Sequence, residues 1–363
     1  MILNQTQVEQ TVDRDERARF IKELVVTHAT SSSGGETPLA MVRKRSATLS
    51  ASLAPVLLVH GYGQNRYAWH LPARSFSNYL ARAGFDVFNL DLRGHGRSRH
   101  LGAHRPSHVT DFVREDVPAA IAEVQRHSGG RKVFLLGHSL GGLVSYATAA
   151  SQGGSIAGVI SLGSPYQFTR GSWSLRLLGN TMLALDRRVH LGHGAPGLKA
   201  LGEAMRLGRI FIESPVFPLP IRGFWPARWS RRCSRSTCPS RWTAGSITVL
   251  RNMFLRRGRV AAQRPPSREG SPATRGASRR SIVPLLIISG THDDLAPPDS
   301  VQPAFAQSRS STRRTAPFPR GHIDLIMGMR RAAHHLAAHR VVAAHPRGAL
   351  KARKSRAKVA ILV

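Results

Sequence analysis

Residues 132–150, KVFLLGHSLGGLVSYATAA, constrain this chain more than any other stretch. Residues 133–136 form a short apolar run rich in strand formers, of a length suited to a buried parallel strand. From Leu143 the spacing becomes helical, with Leu143, Ala147 and Ala150 able to share a face. Between the two lies Gly137-His138-Ser139-Leu140-Gly141, a G-x-S-x-G sequence. A strand that passes straight into a helix reverses so sharply that a Cβ at either flank would meet its neighbours, so the flanking residues must be small. The turn lifts the Ser139 oxygen above the sheet at a helix N-terminus, where the Leu140 N–H can donate to an oxyanion. Ser139 is therefore read as a nucleophile. The bland alternative, a structural serine in a Gly-rich turn, is disfavoured by the strand before it and the helix after it.

The rest of the first half repeats the alternation. Residues 55–60, PVLLVH, are a second buried-strand run, ending in the Gly-rich turn His60-Gly61-Tyr62-Gly63-Gln64. Such a turn at the carboxyl end of a strand aims backbone N–H groups at a ligand. NYLARAGFDVFNLDLRGHGRSR supplies a helix end, a stop at Gly84, a strand over 85–90 and a polar Gly-rich loop. Residues 111–127 read as a helix, with Phe112, Val113, Val117, Ile121 and Val124 at helical spacing. SSSGGETP reads as a turn between two N-terminal strands, ELVVTHA and LAMVRKR. Strands alternating with helices predict an α/β fold: a mostly parallel sheet with helices on both faces.

With these residues in view, the chain resembles the α/β-hydrolase superfamily, in its serine esterase and lipase-like branch. The resemblance is carried by HGYGQ (60–64), LDLRGHGRS (90–98), GHSLGG (137–142), GTHDDLAPP (290–298) and GHIDL (321–325). It covers residues 20–165 continuously and resumes over about 283–328. A serine hydroxyl is a poor nucleophile until a base takes its proton, and the base needs an orienting carboxylate. The family order, serine then acid then histidine, implies Asp293 as the acid, three residues beyond the glycine that ends the strand run PLLIIS. Asp294 is the fallback, one residue on. The implied base is His322, after the last strand, with Asp324 read as a loop-bonding carboxylate. The resemblance places the oxyanion between the backbone N–H groups of Leu140 and Tyr62.

The implied chemistry is attack of Ser139 on an acyl carbonyl, then hydrolysis of the acyl-enzyme, with neither metal nor other cofactor required. Superfamily members that open epoxides or cleave carbon–halogen bonds carry an aspartate at this turn, so Ser139 points away from those reactions. An acyltransferase on the same triad stays open, since it differs only in which hydroxyl resolves the acyl-enzyme. The expected partner is a small-molecule ester with an apolar part.

At 363 residues the chain has room for one large α/β domain with an inserted cap. The expected division is 1–165 for the first part of the core and 166–281 for a cap or insertion. Residues 282–328 return to the core with the acid and histidine, and 329–363 form a basic tail. There is no cleavable signal pattern and no apolar run of about 18 residues, so a cytoplasmic enzyme without a membrane span is expected. Cys233 and Cys238 are too few for a disulfide scaffold or a zinc site. His335 and His339 stand four apart but lack a third ligand, so no metal site is expected.

Charge is distributed unevenly. The net formal charge is +33, yet residues 1–170 hold 19 basic and 12 acidic residues against 34 and 8 in the remainder. Residues 214–281 contain fifteen arginines, no lysine and one acid, Glu269. Stretches such as RRGRVAAQRPPSREGSPATRGASRRS have the composition of Arg/Ser/Pro-rich disordered chain, not of cap helices. Three readings stay open: a basic segment that binds an anionic partner, a solvated cap, or stretches out of frame relative to an ancestral gene. A rival of another class is a catalytically impaired hydrolase scaffold used for binding. The intact serine–acid–histidine order argues against it, and the lack of aromatics among the arginines argues against a nucleic-acid partner.

Overall fold

The structure, a computed structural model, describes residues 1–167, 170 and 283–327, apart from 14–15, 32–33 and 73. The expected cap and basic tail fall almost entirely outside the described residues, as do both cysteines, His335 and His339.

The strands are β1 (Ile2–Asp13), β2 (Glu16–Thr30), β3 (Glu36–Ser46), β4 (Pro55–Val59), β5 (His70–Leu71), β6 (Arg74–Ser75), β7 (Asp86–Asp91), β8 (Val133–His138), β9 (Ile156–Leu162), β10 (Leu285–Gly290) and β11 (Arg313–Phe318). They form one sheet in the order β11-β10-β9-β8-β4-β7-β3-β2-β1-β6-β5. From β7 to β11 every neighbouring pair is parallel, while β3 runs antiparallel to β7 and to β2. The expectation of a mostly parallel α/β sheet holds over this half.

Covering both faces explains why the inner parallel strands β4, β8, β9 and β10 are largely apolar, whereas the edge strand β11, RRTAPF, is mostly exposed. Side chains still alternate between two cores. In β4, Leu57 and Val59 face one core while Val56 and Leu58 face the other; in β8, Val133 and Leu135 oppose Phe134 and Leu136. The first core is closed by helices α2 (Val117–His127) and α3 (Leu140–Gln152) through Val117, Ile121, Leu140 and Leu143. The second is closed by helix α1 (Phe76–Arg82) through Phe76, Leu80 and Ala81, with Trp69 beside them. Ser75 caps α1, its hydroxyl accepting from the Asn78 N–H.

Three elements differ from expectation; one is the segment read as a polar Gly-rich loop, where Gly96–His100 form a short helix. The helix predicted over 111–127 begins at Val109 and contains a π-helical turn, Phe112–Asp116, before α2. Strand β1 was not predicted, because ILNQTQVEQTVD has little apolar alternation and no turn signal ahead of it. It is an exposed strand held by its register with β2, from Asn4↔Leu24 to Thr11↔Arg17.

Because β4, β8, β9, β10 and β11 are parallel, the loops that leave their carboxyl ends all emerge at one edge of the sheet. The predicted site residues lie on those loops, except Leu140, which opens the helix that follows β8.

Candidate active site

The turn from β8 into α3 is as tight as its glycines require. A Cβ on Gly137 would lie 2.4 Å from the Gly141 carbonyl, and one on Gly141 would lie 2.2 Å from the Val59 oxygen. Ser139 sits between them at φ 53° and ψ −119°, the one non-glycine residue with positive φ among the described residues. An L side chain adopts this conformation only at a cost of order 1–3 kcal/mol, so the surrounding contacts must hold it. They do: the Ser139 N–H donates to the Leu162 carbonyl at 2.9 Å, and its own carbonyl accepts from Gly142 and Leu143. Leu140 opens α3, so its N–H has no partner within the helix.

The other half of the site comes from the end of the chain. Asp293 follows β10 and is 3 % exposed; His322 follows β11 and is 4 % exposed. His322 Nδ1 donates to Asp293 Oδ2 at 2.8 Å, while Asp293 Oδ1 accepts from the backbone N–H groups of Leu295 and Ala296 at 2.9 and 2.7 Å. Both carboxylate oxygens are thus engaged, which puts the His322 ring proton on Nδ1 and leaves Nε2 as an acceptor. Asp294, the fallback acid, is half-buried and is not the carboxylate that meets His322. Asp324 is buried and accepts from the Gly321 N–H at 3.1 Å, a loop-bonding role.

The turn after β4 is built around His60. The Leu92 N–H donates to His60 Nε2 at 3.2 Å, so the ring proton lies on Nδ1, which donates to the Gly61 carbonyl at 2.9 Å. The Gln64 N–H reaches that carbonyl as well. Across a trans peptide the Tyr62 N–H points opposite to the Gly61 C=O, so His60 and Gln64 together set the direction of the Tyr62 N–H. Burial holds His60 at about 4 and its ring neighbour His95 at about 3, well below an ordinary imidazole. Desolvation pushes the hydroxyl of the half-buried Tyr62 up to about 12.

His138 joins the pieces. Its Nε2 lies 3.1 Å from the His322 carbonyl, its Nδ1 lies 3.4 Å from Gln64 Oε1, and its ring centre is 4.7 Å from that of His322. Among the described residues Ser139 Oγ makes no hydrogen bond to His322, so the turn and the Asp–His pair are linked here through His138. Of the predicted residues, the structure brings Asp293 and His322 into contact and sets Ser139 and Leu140 on one turn. His60, Gln64 and His138 were missed by sequence reasoning; only their places beside Gly61 and Ser139 set them apart from the chain's other polar residues.

Among the described residues no group of three or more His, Cys, Asp or Glu could hold a metal, and no helix is long and apolar enough to cross a membrane.

Comparison with known proteins adds the following. A family model described as alpha/beta hydrolase fold matches residues 54–328. Epoxide hydrolase 3 of Xenopus tropicalis is 28 % identical over 111 residues, covering 31 % of this chain and 28 % of that protein. The pimeloyl-[acyl-carrier protein] methyl ester esterase of Yersinia pestis is 29 % identical over 119 residues, covering 32 % and 40 %. The chain therefore aligns with well under half the length of these curated relatives. Among solved structures, Rv0554 of Mycobacterium tuberculosis superposes with a TM-score of 0.56 at 17 % identity, over 88 % of this chain and 99 % of that one. A carboxylesterase structure from Nitrososphaera gargenis gives 0.54 at 15 % identity, over 87 % and 99 %. At these identities the superpositions speak for the fold alone.

Proposed function

Since the chain belongs to the alpha/beta hydrolase fold family, we propose that it is a serine hydrolase that cleaves carboxylic esters through Ser139, His322 and Asp293. The observation that carries this reading is the backbone of Ser139. A serine held at φ 53° between two glycines, at the carboxyl edge of a parallel sheet, has no structural reason to tolerate that strain. The buried Asp293–His322 hydrogen bond supports it by supplying an oriented base at the same edge.

In the proposed reaction His322 Nε2 takes the Ser139 proton as Oγ attacks the acyl carbonyl, and Asp293 stabilises the resulting imidazolium. The oxyanion accepts from the N–H groups of Leu140 and Tyr62. Collapse expels the alcohol, protonated by His322, and water then attacks the acyl-enzyme with His322 again as base. Ser139 Oγ must close on His322 Nε2 for the first step; hydrogen bonds of this kind commonly tighten only when substrate binds. Ester cleavage is favoured over epoxide opening because the residue at the turn is serine. The methyl ester esterase relative is consistent with that choice; the epoxide hydrolase relatives share the fold.

The test is labelling of the purified chain by a fluorophosphonate probe, together with turnover of p-nitrophenyl esters of increasing acyl length. Wild type should label and turn over, whereas Ser139→Ala and His322→Ala should each lower turnover by about a thousandfold or more. A folded wild type that neither labels nor hydrolyses any ester would refute the reading.

A further inference from the structure

We propose that His138 is a positioning residue, whose Nε2–H anchors the backbone of His322 and so registers the base-carrying loop against the nucleophile turn. The proposal rests on the reading of Ser139 and His322 given above.

His138 is fully buried, and each ring nitrogen faces an oxygen: the His322 carbonyl at 3.1 Å and Gln64 Oε1 at 3.4 Å. Burial, with His322 beside it, pushes its titration well below the usual imidazole range, so the ring is neutral and carries a single proton. Gln64 Oε1 already accepts from the Gly61 N–H at 3.0 Å, and its contact with His138 is longer than a good hydrogen bond. The proton therefore belongs on Nε2, where it satisfies a buried carbonyl that has no other donor among the described residues.

This choice of tautomer has a mechanical consequence. His138 immediately precedes Ser139 in β8, so its ring is held by the same strand end that sets the nucleophile. The carbonyl it holds belongs to the residue whose side chain must reach Ser139. The tilted approach of the two rings, 4.7 Å between centres and 48° apart in plane, adds a lateral stop for the His322 ring. On its other side, the unprotonated Nδ1 lies 3.4 Å from Gln64 Oε1 without a hydrogen bond, against the turn that carries the Tyr62 N–H. One neutral imidazole thus touches all three loops from which the site is assembled. A cationic residue in its place would repel the His322 imidazolium formed during catalysis.

The experiment compares full-length wild type with His138→Phe, His138→Gln and Ser139→Ala. Phenylalanine keeps a flat ring and removes the donor; glutamine removes the ring and keeps an N–H that can reach the carbonyl. The readouts are kcat and KM for a p-nitrophenyl ester, and the low-field proton of the His322–Asp293 hydrogen bond seen by NMR with labelled histidine. His138→Phe is expected to lower kcat by about ten- to a hundredfold with KM little changed, as for an ångström-scale misplacement. The low-field proton should weaken or shift with it, and His138→Gln should recover most of both. A folded His138→Phe with wild-type kcat and an unchanged proton signal would overturn the proposal. So would a His138→Gln as impaired as His138→Phe. If the phenylalanine variant does not fold, His138→Gln decides alone: recovery within about threefold of wild type supports the anchor, and a larger loss overturns it. If wild type has no esterase activity and takes no probe, the reading of Ser139 has failed. The proton signal then still judges His138, supported if the signal is lost in Phe and regained in Gln, overturned otherwise.

Discussion

The strain at Ser139 separates two substitutions that would otherwise look alike. Both Ser139→Ala and Ser139→Gly remove the hydroxyl, but only glycine relieves the positive φ of 53°. Relief of order 1–3 kcal/mol, offset by the entropy glycine adds to the unfolded chain, should leave Ser139→Gly more stable than Ser139→Ala by about 1 kcal/mol. Urea denaturation of the two variants measures this, and equal midpoints would mean that the turn is not strained. Gly163 offers the converse test. It follows β9 at φ +52°, and a Cβ there would lie 2.8 Å from Leu325 Cδ1 and 3.0 Å from Asp293 Oδ2. Gly163→Ala should lower both the melting temperature and ester turnover, because it presses on the carboxylate that orients His322. Much of this scale was legible in the sequence, but unevenly. The G-x-S-x-G context singles out Ser139 because sterics leave few residues able to occupy such a turn. The resemblance implied Asp293 with Asp294 as fallback, and in the structure it is Asp293 whose carboxylate meets His322, a distinction of one residue that composition and spacing do not carry. His138 was not legible as a support at all: its partner is a backbone carbonyl 184 residues away, which leaves no mark in composition or spacing.

At the scale of elements, apolar runs located the central strands to within a residue or two, because a strand buried on both faces has little freedom in composition. The half of the sheet nearer the amino terminus was harder. There β2 and β3 carry polar and charged side chains whose partners lie on other strands. Arg43 on β3 shows the reason. Its Nε and Nη2 donate to the two carboxylate oxygens of Asp86 at the start of β7, each at 2.8 Å, and its Nη1 donates to Glu23 on β2 at 2.9 Å. All three side chains are nearly or fully buried, and Arg45 also reaches Glu23, at 2.6 Å. This cluster stitches the antiparallel strands to the parallel ones, yet in sequence it is only scattered charge. Arg43→Met should cost roughly 3–5 kcal/mol, mainly because Asp86 would be left buried without its cation. Adding Asp86→Asn should recover a large part of the loss. Denaturation of the single and double variants checks this; a double variant no better than the single would mean that packing, not charge, dominates at β3.

At the scale of the whole molecule, the charge that most distinguishes this chain meets histidines that the fold keeps neutral. His60 and His95 are 0 % and 4 % exposed, and burial lowers them to about 4 and about 3. In the unfolded chain the same rings take a proton near pH 6.5. Between those values the unfolded state binds more protons, so the stability these two sites permit is complete above about pH 7 and is lost as pH falls. From pH 6.5 to pH 5 each contributes a loss of about 1.5 kcal/mol, and the pair about 3 kcal/mol. His138, lowered for the same reason, acts in the same direction. The chain also carries a net +33, and its self-repulsion favours expansion. For a domain whose total stability is of order 5–15 kcal/mol, these terms bring acid unfolding within reach at mildly acidic pH. Urea denaturation at fixed ionic strength from pH 8 to pH 5 should show stability nearly level down to about pH 7 and then falling steeply. Because His60 also sets the Tyr62 N–H, ester turnover should fail over the same range in which the fold loosens. Raising the salt concentration should soften the part due to self-repulsion while leaving the part due to the buried rings. A stability curve flat from pH 7 to pH 5 would mean that these imidazoles take up protons inside the fold.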